Sequence, residues 1–278
     1  MSRLSLFHCS DLHFGHPAVP AQYEALEALI HDRRYDVVAI SGDLSQRARA
    51  GEFQRARAFI RNAEQVSKVI VVPGNHDVAW WFSPLRLGND DALLYKYRRY
   101  ISDDTEPVLH VPGAVIAGLN TAHGVLWETL TWNPRDISII GHVSKEQLRR
   151  LRSVFERTPA GTLRVVVMHH NPVKGELSQR HGLKHTRRIL GYLADMGVDL
   201  VLCGHDHQEA VHFVEHTVKG TVISTAGTLS DRSRGGRPSS VNSIHVSDDA
   251  IEVATLIWSD TDRAFTLGPS KRFPRSNA

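Results

Sequence analysis

At 278 residues, 41% of them hydrophobic, the chain is long enough for one large domain or two small ones around a buried core. No apolar run approaches the roughly 20 residues a membrane span needs, and Met1 to Leu6 lacks the long apolar region of a secretory signal, so a cytoplasmic globule is expected. The formal charge of +3 suits anionic substrates without requiring a nucleic-acid groove, and Cys9 and Cys203 read as small buried residues that stay unpaired.

Taken in chain order, five strand-like apolar runs stand out: Leu4 to Phe7, Val37 to Ile40, Val69 to Val72, Val165 to Met168 and Leu200 to Cys203. Helical patterns run from Tyr23 to Asp32, Gly51 to Val66, Lys145 to Arg157 and Thr186 to Gly197, which gives the rhythm of an α/β sheet. Arginines cluster at Arg47, Arg49, Arg55, Arg57 and Arg61 and again at Arg149, Arg150 and Arg152, with the helical spacing of solvated faces. The stretch 79–112 is loop- and helix-like, with Trp80, Trp81 and Phe82 and then Tyr95, Tyr97 and Tyr100; it is a cap segment over the site or core packing. Residues 211–260 are strand-rich, with Thr221 to Thr225, Val241 to Val246 and Ile251 to Trp258 expected to join the sheet as antiparallel strands. A single domain is therefore expected over 1–266, followed by a flexible tail at 267–278.

Each of the five runs leads into a short polar signature: Asp11-Leu12-His13, Gly42-Asp43, Gly74-Asn75-His76-Asp77, His169-His170 and Gly204-His205-Asp206-His207. Ligands of open α/β sheets bind at the carboxyl ends of strands, so these loops are expected to converge on one crevice. Asp, His and Asn supply oxygen and imidazole donors that suit Zn, Mn and Fe better than Ca or Cu(I). Asp11 and His13, two residues apart on an extended segment, are expected to point to one side and chelate one ion; His205 and His207 share that spacing. Two divalent ions bring a formal charge of about +4, offset by about −2 from Asp11 and Asp43 and about −1 from a bridging hydroxide. The excess attracts a phosphate, and the paired ions lower the pKa of bound water and clamp the attacking and leaving oxygens.

These signatures in this order resemble the calcineurin-like metallophosphoesterase superfamily through nearly the whole chain. The segments Gly42 to Arg49, Gly74 to Val78, Tyr97 to Tyr100, Leu119 to Ala122 and Ala226 to Thr228 further resemble its bacterial class III cyclic-nucleotide phosphodiesterase branch. The resemblance implies a four-layer αββα sandwich of two mixed β-sheets flanked by helices. It also implies two divalent or mixed-valence ions, one held by Asp11, His13 and His207 and the other by Asn75, His169 and His205, bridged by Asp43. His170 competes for the role of its neighbour. By the same resemblance His76 contacts the phosphate and stabilises or protonates the leaving oxygen, with Asp77 orienting its ring; a helix cap is the other reading of Asp77. The chain departs from many relatives in carrying Asn171 before Pro172, and in a long stretch from Trp127 to Gly141 flanked by His123 and His142, two histidines expected at the surface. The implied activity is phosphodiester hydrolysis, of 3',5'-cyclic nucleotides or similar small diesters, with a phosphomonoesterase, a nuclease or a non-catalytic scaffold as alternatives. A nucleic-acid partner on the arginine faces and a membrane contact through Trp80, Trp81 and Phe82 are the alternatives to a small-molecule partner.

Overall fold

The computed structural model describes residues 4–16, 18–79, 93–123, 140–175, 182–216, 220–230 and 234–275. The expected roles of Trp80, Trp81 and Phe82, and most of the long stretch after Trp127, fall outside these residues.

Three strands open the chain, β1 (Leu4–Cys9), β2 (Val37–Ser41) and β3 (Lys68–Val72), joined by α1 (Pro20–Arg33) and α2 (Ala50–Glu64). A short α3 (Tyr95–Tyr100) leads to β4 (Val108–Val111) and β5 (Ala114–Leu119), and α4 (Lys145–Glu156) to β6 (Leu163–His170). Next come α5 (Thr186–Asp195), β7 (Leu200–Gly204), β8 (Ala210–Val214) and β9 (Thr221–Thr225), and the chain closes with β10 (Ser240–Val246), β11 (Ala250–Ser259) and β12 (Ala264–Pro274). They form two six-stranded sheets, in the orders β12-β11-β10-β1-β2-β3 and β4-β5-β6-β7-β9-β8. Both are mixed: β1, β2 and β3 are parallel while β10, β11 and β12 run antiparallel, and β5, β6, β7 and β9 are parallel between antiparallel β4 and β8.

Side-chain alternation explains the four layers. Leu6, Ala39, Ile70 and Val72 point between the sheets, where they meet Ile116, Val165, Val167, Leu200 and Leu202. The alternate residues Phe7, Val38, Ile40 and Val71 pack outward on Leu26 and Ile30 of α1 and Phe53 and Phe59 of α2. On the far side, Val166, Met168, Val201 and Cys203 pack on Leu148, Leu151 and Phe155 of α4 and Ile189 and Leu193 of α5. Each central strand is therefore apolar on both faces, which is why it reads as an unbroken apolar run. The fold is the expected αββα sandwich.

Several local expectations change. The tail predicted from residue 267 onward is instead most of β12, paired with β11 as far as Pro274 opposite Ala250. Edge position allows this, because Pro269 and Pro274 need no partner for the amide they lack. Strand β9 joins its sheet parallel to β7 rather than antiparallel, and β4 lies inside the stretch 79–112 read as loop and helix. Among the tyrosines, Tyr97 is fully buried edge-on to Phe53 and Tyr100 stacks on Phe53, so both serve the packing of α3 on α2, while Tyr95 is exposed. His123 is buried, not at the surface, because the His142 amide donates to the Thr121 carbonyl at 3.1 Å and brings the two rings together. Cys9 and Cys203 are buried and unpaired, as expected; burial pushes both thiols up, Cys203 to about 12. No helix among the described residues is long and apolar enough to cross a membrane.

Candidate metal centre

The signatures meet at the strand ends because their loops bond to one another. The amides of Asp11, His13 and Phe14 donate to the carbonyls of Gly42, Asp43 and Leu44 at 2.9 to 3.1 Å. The Asp11 carbonyl accepts from the Leu229 amide at 3.2 Å and the Thr228 hydroxyl at 3.0 Å, and the Tyr23 hydroxyl donates to the Leu12 carbonyl. Gly74 lies so close to Asp43 that a Cβ there would overlap the carboxylate.

Side chains reach the crevice through an unusual backbone. Asp11, His13, Asp43, His205 and His207 all have positive φ, between 46° and 73°. The i, i+2 pairs thus project through left-handed turns rather than the extended segment expected. A left-handed L-residue costs roughly 1–2 kcal/mol, so five together persist only because the loop-to-loop bonds hold them.

Two donor groups result. In one, His13 Nε2 and His207 Nε2 are 3.1 Å apart, and Asp11 Oδ1 lies 3.1 Å from His207 and 3.7 Å from His13. In the other, Asn75 Oδ1 is 3.0 Å from both His169 Nε2 and His205 Nδ1, which are 3.3 Å from each other. Asp43 Oδ2 stands between them, 3.9 Å from His13 Nε2 and 3.3 Å from His169 Nε2. The remaining oxygens face the backbone: Asp11 Oδ2 accepts the His205 amide at 2.9 Å and Asp43 Oδ1 the His76 amide at 2.8 Å. His205 and His207, equal in spacing to Asp11 and His13, split between the two groups.

These residues fit cations. Asp11 Oδ1 is buried with no hydrogen-bond partner assigned among the described residues, 3.1 Å in front of the His207 imidazole nitrogen. Donors bound at about 2.1 Å to one ion stand roughly 3.0 to 3.4 Å apart along a coordination edge, close to the separations in the second group and to two of the three in the first, where His13 and Asp11 stand wider at 3.7 Å. Burial holds His13 and His205 neutral, lowering each to about 3, as a ligand requires. For Asp11, burial opposes ionisation but His207 outweighs it, and for Asp43 His169 does the same; both carboxyls stay well below the usual range. His169 moves the other way: burial lowers it, yet the Asp43 carboxylate overrides this and raises it to about 9.

Residues around the groups supply orientation. The Ser41 carbonyl accepts from His169 Nδ1 at 2.8 Å and from the Ser10 hydroxyl at 3.0 Å, while the Ser41 hydroxyl bonds His8 Nε2 at 2.9 Å. Burial lowers His8 to about 3. His76 packs edge-on to His13 with centroids 4.8 Å apart, and its Nδ1 donates to the Gln46 carbonyl at 2.8 Å. Asp77 therefore does not orient that ring. Its carboxylate accepts from the amides of Gly74, Leu44 and Ser45 and from the Ser45 hydroxyl at 2.8 to 3.1 Å, capping the turn Asn75–Asp77 and tying it to the Asp43 loop. Burial and Asp43 push Asp77 up to about 7 against those donors. Asn171 donates to Asp206 Oδ2 at 2.8 Å, joining the His169 loop to the His205 loop. Gln46 and Thr121 lie inside segments that the sequence singles out, Gly42 to Arg49 and Leu119 to Ala122, and Asn171 stands out before Pro172, whereas nothing in the sequence points to Ser41.

Comparison with solved structures agrees with the architecture. The chain is similar to the purple acid phosphatase PPD1 of yellow lupin (Lupinus luteus) seeds, with a TM-score of 0.69 at 12% identity over 98% of this chain and 54% of that one. The chain thus spans about half the length of that enzyme. It is also similar to GAP50, the anchor in the inner membrane complex of Plasmodium, with a TM-score of 0.62 at 14% identity over 99% of this chain and 90% of that one. A third similarity, to the TT1561 protein of Thermus thermophilus, has a TM-score of 0.54 at 13% identity over 95% and 98% of the two chains. At such identities the likeness speaks for the fold. No curated protein matches. The model of the calcineurin-like phosphoesterase family matches residues 4–209, and the chain belongs to that family of metal-dependent phosphoester hydrolases with two-cation centres.

Proposed function

We propose that the protein is a phosphodiesterase acting on small diesters, 3',5'-cyclic nucleotides among them. The observation that carries this is Asp43 Oδ2 standing between two donor groups built from His and Asn and only two carboxylates. Asp11, His13 and His207 would hold one cation and Asn75, His169 and His205 the other, with Asp43 shared. Bound there, two divalent cations, Mn, Fe or Zn, would supply a water of lowered pKa and a clamp on the phosphoryl oxygens. The carboxylates cancel about half of the cations' charge, so the protein itself leaves the crevice attractive to an anion. His76, half-buried beside His13, has its Nδ1 proton fixed on the Gln46 carbonyl, so Nε2 is the atom that would meet the phosphate and hand a proton to the leaving oxygen.

The diesterase reading is supported by the segments that resemble the class III branch, because three of them brace the crevice loops or a ring beside them. Gln46 holds His76, Thr121 bonds His170, and Thr228 holds the Asp11 loop. Protein reconstituted with Mn or Fe is expected to hydrolyse bis(p-nitrophenyl) phosphate and a cyclic nucleotide. Asp43→Ala should lower that rate by about 100-fold or more, since even groups that only orient ligands cost 10–100-fold. Correctly folded protein that turns over no phosphodiester with any divalent metal would overturn the proposal, and turnover confined to monoesters would reassign it to phosphomonoesterase.

A further inference from the structure

The centre as proposed uses His169 and leaves His170 without a role. In a regular strand, consecutive side chains point to opposite faces, so one of the two rings should turn away. Here β6 carries an extra residue against β7: Val167 pairs with Leu202, but His170 pairs with Gly204. Such a bulge re-aims side chains. The His170 ring accordingly packs against both His205, centroids 4.6 Å apart, and His169, at 4.9 Å. One ring nitrogen from each of His169, His170 and His205 lies within 4.8 Å of the others.

The ring is fixed in this position. Its Nδ1 is 2.7 Å from the Thr121 hydroxyl, and a Cβ at Gly141 would overlap the imidazole, so glycine is needed for the ring to lie flat on that backbone. Its Nε2 is buried and has no hydrogen-bond partner among the described residues. Leaving a buried polar nitrogen unsatisfied costs about 1–3 kcal/mol, and such an atom in a native site calls for a partner. A ligating histidine ordinarily has its second nitrogen held by a hydrogen bond that sets the tautomer, and Thr121 is placed to do this.

We propose that His170 is a further ligand of the second cation, which would then be held by three imidazoles and the Asn75 amide oxygen. The proposal rests on the two-cation reading of the site. With Nδ1–H donating to Thr121 Oγ1, the lone pair of Nε2 is the donor. Three neutral nitrogens select Zn or Fe over Mg or Ca at this position, because hard ions favour oxygen donors. They also add no negative charge, so the attraction for a phosphate is kept.

The full chain, labelled with 15N and loaded with 113Cd, tests this directly. Scalar coupling to cadmium is expected at His170 Nε2 as well as at His169 Nε2 and His205 Nδ1. Coupling at His169 and His205 with none at His170 overturns the inference while sparing the two-cation centre, and the same result with Nε2 found protonated would make His170 a donor to the substrate anion. Coupling at none of the histidines would remove the centre itself. In parallel, His170→Gln should weaken zinc binding at that position by about 10-fold or more, and Thr121→Val should weaken it to a smaller degree. Unchanged zinc affinity in a folded His170→Gln protein counts against the inference, and the wild-type cadmium spectrum decides the matter if the variant does not fold.

Discussion

Each carboxylate of the centre divides its two oxygens between structure and chemistry. Asp11 Oδ2 and Asp43 Oδ1 take backbone amides, and Asp11 Oδ1 and Asp43 Oδ2 are thereby held toward the imidazoles. The residue types of this set were legible in the sequence because each closes a strand-like run. Their supports were not, since Ser41 and Gln46 act through main-chain carbonyls that no side chain announces. Asp77 shows the same limit: the motif leaves ring orientation and a cap both open, and only coordinates show that amides surround the carboxylate and make it the cap. Asn171 carries a testable role at this scale. Asn171→Ala removes one partner of the buried Asp206 carboxylate between His205 and His207. Such a loss costs about 1–3 kcal/mol, so thermal melting should drop by several degrees and cation affinity should fall. An unchanged melt and an unchanged cation titration would show that the link contributes nothing.

At the level of elements, helix boundaries and central strands followed from periodicity, whereas edges did not. Gly268 and Pro269 look like breakers, yet β12 tolerates them at the rim of its sheet. The bulge in β6 is equally silent in sequence, since it arises from pairing with β7. One terminus invites a change. Helix α1 ends at Arg34, an exposed residue with φ of 49° whose amide donates to the Ile30 carbonyl at 3.0 Å. Glycine adopts that conformation without a Cβ penalty, so Arg34→Gly is expected to stabilise the fold by about 0.5–1 kcal/mol. A denaturant titration reads this as a higher midpoint at unchanged slope; a lower midpoint would mean the arginine side chain contributes more than its strain costs.

For the molecule as a whole, proton and cation compete for one buried crevice. With its pKa raised to about 9 by Asp43, His169 is protonated at neutral pH in the metal-free protein, while His13 and His205, lowered to about 3, are not. The raised group stabilises the metal-free fold below its unfolded value of about 6.5, a contribution lost as pH climbs through about 9. The lowered pair acts in the opposite sense, contributing above about 6.5 and losing that contribution as pH falls toward about 3. Metal-free protein should therefore be most stable near pH 6.5, and cation affinity should rise between pH 7 and 9 as the His169 proton leaves. Imidazole NMR of the metal-free protein checks this, and a His169 found neutral at pH 7 would contradict it. What the sequence alone determined was the class of fold, the order of the strands that carry the polar signatures and the set of candidate donor residues, because these depend on local apolar periodicity and on residue types at strand ends. What only the tertiary structure decided was how those donors divide into two groups, which backbone carbonyls and amides aim them, and that His170 faces the same crevice as His169. Such outcomes depend on sheet-to-sheet packing, on pairing register and on left-handed turns enforced from neighbouring loops, none of which a local pattern encodes.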